Sequence, residues 1–180
     1  PIIVDGNGCS FTVPVVINDI SGPTIDSVTN TNITCSGDSN GTASVFITGV
    51  APPYTYIWKD NYGNTVDSNL TTIFGLWGGT YTVSIIDANG CTSGALIAIN
   101  EPPQLNSVII SSTPASCSGA CDGLATVMVG GGVTPYTYLW TNSQTTTTAT
   151  SLCAGTHNIN ITDNNGCTEV NTVSITEPDA

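Results

Sequence analysis

The chain has almost no basic side chains. Lys59 is its single lysine, arginine is absent, and thirteen carboxylates leave a net charge of −12. Nucleic-acid binding depends on lysine and arginine displacing counterions from phosphate, so that class of partner is excluded. Docking on an anionic membrane surface is excluded for the same reason. Charged residues of either sign make up only 8 % of the 180, too few for a charge-rich disordered tail. The surface must instead be built from Thr, Ser, Asn and Gly. Histidine is as scarce as lysine, His157 being the only one. No apolar run is long enough to cross a membrane as a helix. No window places apolar residues at i, i+3, i+4 and i+7 between caps, so no helix is expected.

What the chain does have is a copy of itself. The string PPYTYIW at 52–58 returns as TPYTYLW at 134–140, and CSGDSNG at 35–41 as CSGACDG at 117–123, both 82 residues later. GGTYTVSIIDANGC at 78–91 returns as AGTHNINITDNNGC at 154–167, only 76 residues later, so the second copy is six residues shorter between these motifs. A third, partial copy opens the chain, where IIVDGNGC at 2–9 matches SIIDANGC at 84–91. Repetition at this period implies a tandem of small domains rather than a solenoid. We expect residues 1–22 to be the last hairpin of a preceding repeat plus a linker, 23–102 one repeat and 103–180 the next. The chain is thus expected to be a slice of a longer protein.

Short β-branched runs alternate with turn residues throughout. Strands are expected near 25–34, 42–48, 54–59, 65–74 (one or two), 80–87 and 93–100, then near 105–113, 124–130, 136–141, 145–152, 156–163 and 169–176. Asn-Gly within 5–8, 87–90 and 163–166 marks tight hairpins. Within strands the period is two: Tyr54, Tyr56 and Trp58 share a face, as do Tyr81, Val83 and Ile85, and the second copy repeats both sets. A Trp on the third strand facing an aromatic on a later one fills the centre of immunoglobulin-like sandwiches, so these rings are read as core rather than as sugar-stacking platforms. The expected fold class is all-β: tandem immunoglobulin-like (PKD-like) antiparallel sandwiches in an extended array, with prolines at Pro102, Pro103 and Pro178 stiffening the joints. The apolar residues Val13, Val15 and Ile17 of the opening hairpin lack a partner, and are expected to be poorly ordered or packed on another copy.

Taken together, C-x-G-x-x-x-G, P-Y-T-Y-x-W, L-x-x-G-T-Y, D-x-N-G-C and E-P resemble the SprB-type repeat of very large surface adhesins in gliding Bacteroidetes. The resemblance covers both full units and the N-terminal fragment, and the GTYTVxxxDxNG portion is also similar to PKD-type sandwiches. It implies type IX secretion, an extracellular, cell-surface location, and a filament body carried along the cell by a motility machine. Its partners would be neighbouring repeats of the same polypeptide, surface polysaccharide or other adhesin copies. The departures are His157 in place of Tyr and the added Cys121 and Cys153.

Seven cysteines at repeating positions indicate an oxidising compartment. Zinc is disfavoured because the one close pair, Cys117 and Cys121, has no His beside it. Cys121 and Cys153 occur only in the second unit, where the first has Ser39 and Trp77. One added disulfide explains both, since the loops that carry them fall at one end of an immunoglobulin-like sandwich. Cys35, Cys91, Cys117 and Cys167 allow two patterns. Pairing within each unit would join turns at opposite ends of a sandwich, roughly 20 Å apart at about 3.3 Å per residue, and a disulfide needs Cα atoms within about 7 Å. Pairing across units, Cys35 with Cys167, escapes that limit and is preferred. Cys9, Cys91 and Cys117 would then await other domains.

No catalytic constellation is read, and the protein is not expected to be an enzyme. His157 stands where the other copy has Tyr81, which suits the edge of a core. A single lysine excludes a Lys–Asn isopeptide bond in each unit. Gly130, Gly131 and Gly132 open no helix and make no phosphate cradle. No cofactor is expected, and calcium is a weak candidate: Asp26, Asp38, Glu101 and Asp122, with Asp19 and Glu177, lie near junctions or first turns, but without an Asp-x-Asp-x-Asp run. Trp77, in a Gly-flanked loop, is a candidate ligand-stacking side chain. Asn32, Asn40, Asn69 and Asn160 head Asn-x-Thr sequons, which matter only in a eukaryotic host, and Asp26-Ser27-Val28 resembles a bacterial O-glycosylation site. The sequence thus reads as a structural stalk module of a secreted adhesin, with a carbohydrate-binding sandwich as the alternative.

Overall fold

The computed structural model describes residues 2–15, 21–49 and 51–179; these hold fifteen strands and no helix. Strands β1 (Ile2–Val4) and β2 (Ser10–Thr12) form an isolated antiparallel hairpin. Its Ile2, Ile3 and Phe11 are exposed, as is Val15, while Val13 is half-buried. Ile17 and Asp19 lie outside the described residues.

Two sandwiches follow. The first uses β3 (Thr24–Thr31), β4 (Gly41–Thr48), β5 (Thr55–Lys59), β6 (Thr65–Ser68), β7 (Thr72–Leu76), β8 (Gly79–Ile86) and β9 (Thr92–Ile99). They form one sheet in the order β3-β4-β7 and a facing sheet in the order β6-β5-β8-β9, with antiparallel pairing throughout. The second uses β10 (Asn106–Thr113), β11 (Gly123–Gly130), β12 (Thr137–Trp140), β13 (Thr148–Leu152), β14 (Gly155–Thr162) and β15 (Thr168–Ile175), in sheets β10-β11-β13 and β12-β14-β15. The six-residue deficit thus removes the counterpart of β6. The shortened segment makes a loop in which Trp140 N–H bonds to Gln144 O, and the next strand starts at Thr148 rather than near 145.

Each core follows from the period of two. Trp58 is fully buried and donates from Nε1 to Leu70 O at 2.8 Å; Trp140 repeats this with Thr146 O at 2.9 Å. Around Trp58 pack Val45, Tyr56, Ile73, Leu76, Val83 and Ile85; around Trp140 pack Val127, Leu152, Ile159 and Ile161. Gly41 and Gly123 leave no room for a Cβ, which explains why the motif ends in glycine. A Cβ there would lie 2.7 Å from Ile99 or Ile175 respectively, and less than 3 Å from the Leu76 or Leu152 carbonyl.

The hairpins that Asn-Gly announces are present, but their turn differs from the primed type that this dipeptide favours. Only the glycine has positive φ (Gly8 85°, Gly90 83°, Gly166 86°). The aspartate is the reason. Asp87 Oδ1 accepts from Asn89 N and Cys91 N, and Asp163 Oδ1 likewise from Asn165 N and Cys167 N. That closes a three-residue loop with a glycine bulge.

Candidate functional site: the joint between the sandwiches

Two turns meet where the first sandwich ends and the second begins. The first is the β3–β4 turn, carrying Thr34, Cys35, Ser36 and Gly37. It is fixed by its own side chains and by the segment leaving β9. Asn40 Oδ1 accepts from Thr34 N at 3.1 Å, and Asn40 Nδ2 donates to Thr34 Oγ1 at 3.0 Å. Glu101 Oε1 accepts from Ser36 Oγ at 2.8 Å and Gly37 N at 2.7 Å. Ile33 N donates to Asn100 O, and Asn100 N to Asn32 Oδ1. The hydroxyl of Ser36 and the amide of Gly37 hold the Glu101 carboxyl below its ordinary range. The glutamate of the E-P motif is therefore a clamp on a turn that lies 65 residues earlier in the chain.

The second sandwich repeats the device. Glu177 Oε2 accepts from Gly119 N at 2.6 Å, Asp122 Oδ1 from Ser116 N at 2.9 Å, and Ala115 N donates to Thr176 O at 2.9 Å. The Ser116 hydroxyl and amide lower the Asp122 carboxyl.

The other half of the joint is the β14–β15 turn. Burial raises the Asp163 carboxyl, but backbone N–H groups of Val133, Cys167, Asn165 and Gly166 outweigh it and leave it below the ordinary range. This preformed turn projects Asn165 and Cys167 at the β3–β4 turn. Asn165 Nδ2 donates to Thr34 O at 2.9 Å, and Cys35 is joined to Cys167 by a disulfide with the Cα atoms 5.6 Å apart. Cys91, the within-unit alternative for Cys35, is a free thiol, as are the exposed Cys9 and Cys117. The second disulfide joins Cys121 and Cys153 inside the second sandwich.

The calcium candidates are not gathered into one place. Among the described residues, no group of three or more His, Cys, Asp or Glu side chains is placed to hold a metal. Asp26 accepts from Thr48 Oγ1 at 3.0 Å, Asp38 lies 3.5 Å from Asn40 Nδ2, and Glu101 and Asp122 serve their turns as described. Trp77 is 59 % exposed, and its carbonyl accepts from Tyr81 Oη at 3.1 Å. His157 reproduces that bond from the equivalent position: Nε2 lies 2.8 Å from Cys153 O. A carbonyl only accepts, so Nε2 carries the proton and Nδ1 accepts from Thr141 Oγ1, 3.2 Å away. Both ring nitrogens have structural roles. The described residues contain no helix long and apolar enough to cross a membrane.

Sequence reasoning missed the clamp role of Glu101 and Glu177 and the Asn165–Thr34 bond. A signal for the clamp was present. Each glutamate follows its C-S-G turn at a spacing that changes only by the six-residue deficit lying between them.

The architecture defines the class: a tandem of immunoglobulin-like sandwich modules. The SprB repeat model matches each module over part of its length, at residues 27–63 and 109–145. Among solved structures, the three N-terminal domains of the highly immunogenic outer capsid protein (Hoc) of bacteriophage RB49 are similar at 16 % identity and TM-score 0.50, over 86 % of this chain and 59 % of that one. That likeness is one of fold. The IG1+IG2 pair of DIP-gamma aligns at 12 % identity and TM-score 0.49, over 89 % of this chain and 99 % of that one. A C-terminal 282-residue fragment of intimin aligns at 16 % and 0.47, over 85 % and 64 %. No curated protein matches the chain.

Proposed function

We propose that this chain is a passive structural segment in the stalk of a large, secreted, cell-surface adhesin, of the kind gliding bacteria carry. The reading is non-enzymatic. Its work is mechanical: it keeps successive sandwiches in fixed register so that load passes along strand ladders and a covalent joint. The observation that carries this reading is the joint itself, where the Cys35–Cys167 bond, the Asn165–Thr34 hydrogen bond and the Glu101 clamp converge on one short turn. Scarce lysine and a net charge of −12 suit a surface exposed to trypsin-like proteases and to its own neighbours. Antibodies raised against the purified chain test the location. They are expected to label intact source cells as extended filaments; labelling only after lysis would contradict the reading.

A second reading, direct binding of polysaccharide, is favoured at Trp77, whose ring is exposed in the first repeat. Binding to a glycan array that is lost in Trp77→Ala would support it; no binding by the unaltered chain would remove it.

A further inference from the structure

We propose that Cys91 and Cys117 are the two open halves of the same joint that Cys35 and Cys167 close, each taking the complementary turn of a further SprB-type repeat. Cys117 takes a D-x-N-G-C turn and Cys91 takes a T/S-C-S-G turn. The inference rests on the serial-repeat reading above and gives the segment a direction.

The argument is one of equivalence between observed parts. Cys117 occupies the place of Cys35 in a turn held by the same bonds: Asp122 on Ser116 N replaces Asn40 on Thr34 N, and Glu177 on Gly119 N replaces Glu101 on Gly37 N. Its Ser116 carbonyl corresponds to the Thr34 carbonyl that accepts from Asn165. Cys91 occupies the place of Cys167, in a turn closed by Asp87 as Asp163 closes the other. Asn89 stands where Asn165 stands, and its side-chain amide makes no bond among the described residues. The linker also matches. Gly22 packs so closely on Cys91 that a Cβ there would lie 2.9 Å from the Cys91 Cβ, and its counterpart Gln104 lines the groove beside Cys35 and Cys167. Each turn is rigid before it meets a partner, so docking costs little ordering entropy.

Bond formation converts two thiols into one disulfide with loss of two protons and two electrons. The electron acceptor is a small-molecule disulfide such as oxidised glutathione, which leaves as two thiols. Tethering in one polypeptide presents the partner thiol at an effective concentration in the millimolar range.

The experiment uses the chain through Pro178 followed directly by a second copy of residues 103–180 whose own Cys117 is changed to serine, which keeps the Glu-Pro-Pro-Gln spacing of the native joint. It is folded in a glutathione redox buffer, alkylated, cut without reduction by elastase, which cleaves after Ala120 and Ala154 and so separates the four cysteines of the repeat, and mapped by mass spectrometry. The expected product links Cys117 to the appended copy of Cys167, in a yield matching the Cys35–Cys167 peptide. A Cys117 that remains alkylatable while Cys35–Cys167 is closed overturns the proposal, as does its pairing with any other cysteine. Closure of Cys121–Cys153 in both copies reports that each has folded. A second variant changes the appended copy of Asn165 to alanine and keeps the cysteine. Closure is expected to slow several-fold; an unchanged rate would overturn docking as the step that precedes the bond. The readout is made on purified chain, so failure of the cell-labelling experiment would leave this result standing.

Discussion

Replacing Cys121 and Cys153 together by serine should weaken the second sandwich and leave the first unchanged. The two residues are 32 apart in sequence, and a closed loop of that length removes enough unfolded-state entropy to stabilise by about 3–4 kcal/mol. Both side chains lie in exposed positions, so serine leaves no buried cavity and the effect isolates the crosslink. The first sandwich is an internal control, because it has Ser39 and Trp77 at these places and no bond. A loss of this size in a domain of some 75 residues corresponds to a fall in melting temperature of about 15–25 °C. Hydrogen exchange measured by peptide, across a urea series, reads the two sandwiches separately. Peptides from β11, β14 and β15 are expected to lose protection at lower urea in the double variant, whereas those from β4, β8 and β9 keep theirs. A change below about 1 kcal/mol, or an equal change in both sandwiches, would refute the argument.

Acid should loosen the turns before the cores. The folded pKa of Glu101, Asp122 and Asp163 is depressed, so each contributes stability that is present above its unfolded value, near 4, and lost as pH falls through the folded value. Melting temperature is expected to hold from pH 7 to about 5 and drop below 4, with a shallower drop in Glu101→Gln; an identical profile in that variant would contradict the clamp. At His157, tyrosine should be tolerated and phenylalanine should cost about 1 kcal/mol, because only the former can donate to the Cys153 carbonyl. Urea unfolding of the two variants measures the difference.

Much of the fold was legible because its signals are local. The alternation Tyr54-x-Tyr56-x-Trp58 fixes which face of β5 is buried, and each D-x-N-G-C marks a hairpin whatever its neighbours. The turn type was not legible from Asn-Gly, since the aspartate two residues earlier captures the amides that a primed turn would leave free. Of the joint, the cysteine pair that the structure joins is the one that strand length left within reach. The residues that make the joint specific were harder to see. Asn165 and Thr34 are polar, exposed and 131 residues apart, and nothing in their local sequence separates them from other turn residues. The acidic residues show a limit of local sequence: a carboxylate that caps a turn and one that ligates calcium look alike in it, and the amides bonded by Glu101 and Asp122 are visible only in three dimensions.

The second repeat shows how one module can depart from the pattern and still serve the array. It lacks a strand, and where the first core places Ile33, buried to 3 % exposure, it has Ala115 at 2 %. Truncating a buried isoleucine to alanine costs about 2–5 kcal/mol when the cavity is not refilled, while its extra disulfide returns about 3–4 kcal/mol. The two changes lie in the same region, since Ala115 opens the turn that Cys121 closes. On this account the added cysteines restore a core end that the shorter repeat packs less well. The compensation can be tested by filling the core end instead. Ala115→Ile in the background that lacks both cysteines should recover at least half of the lost stability by urea unfolding. No recovery, with the alanine neighbourhood too tight to accept isoleucine, would mean that the disulfide stiffens the end next to the joint rather than repairing its packing.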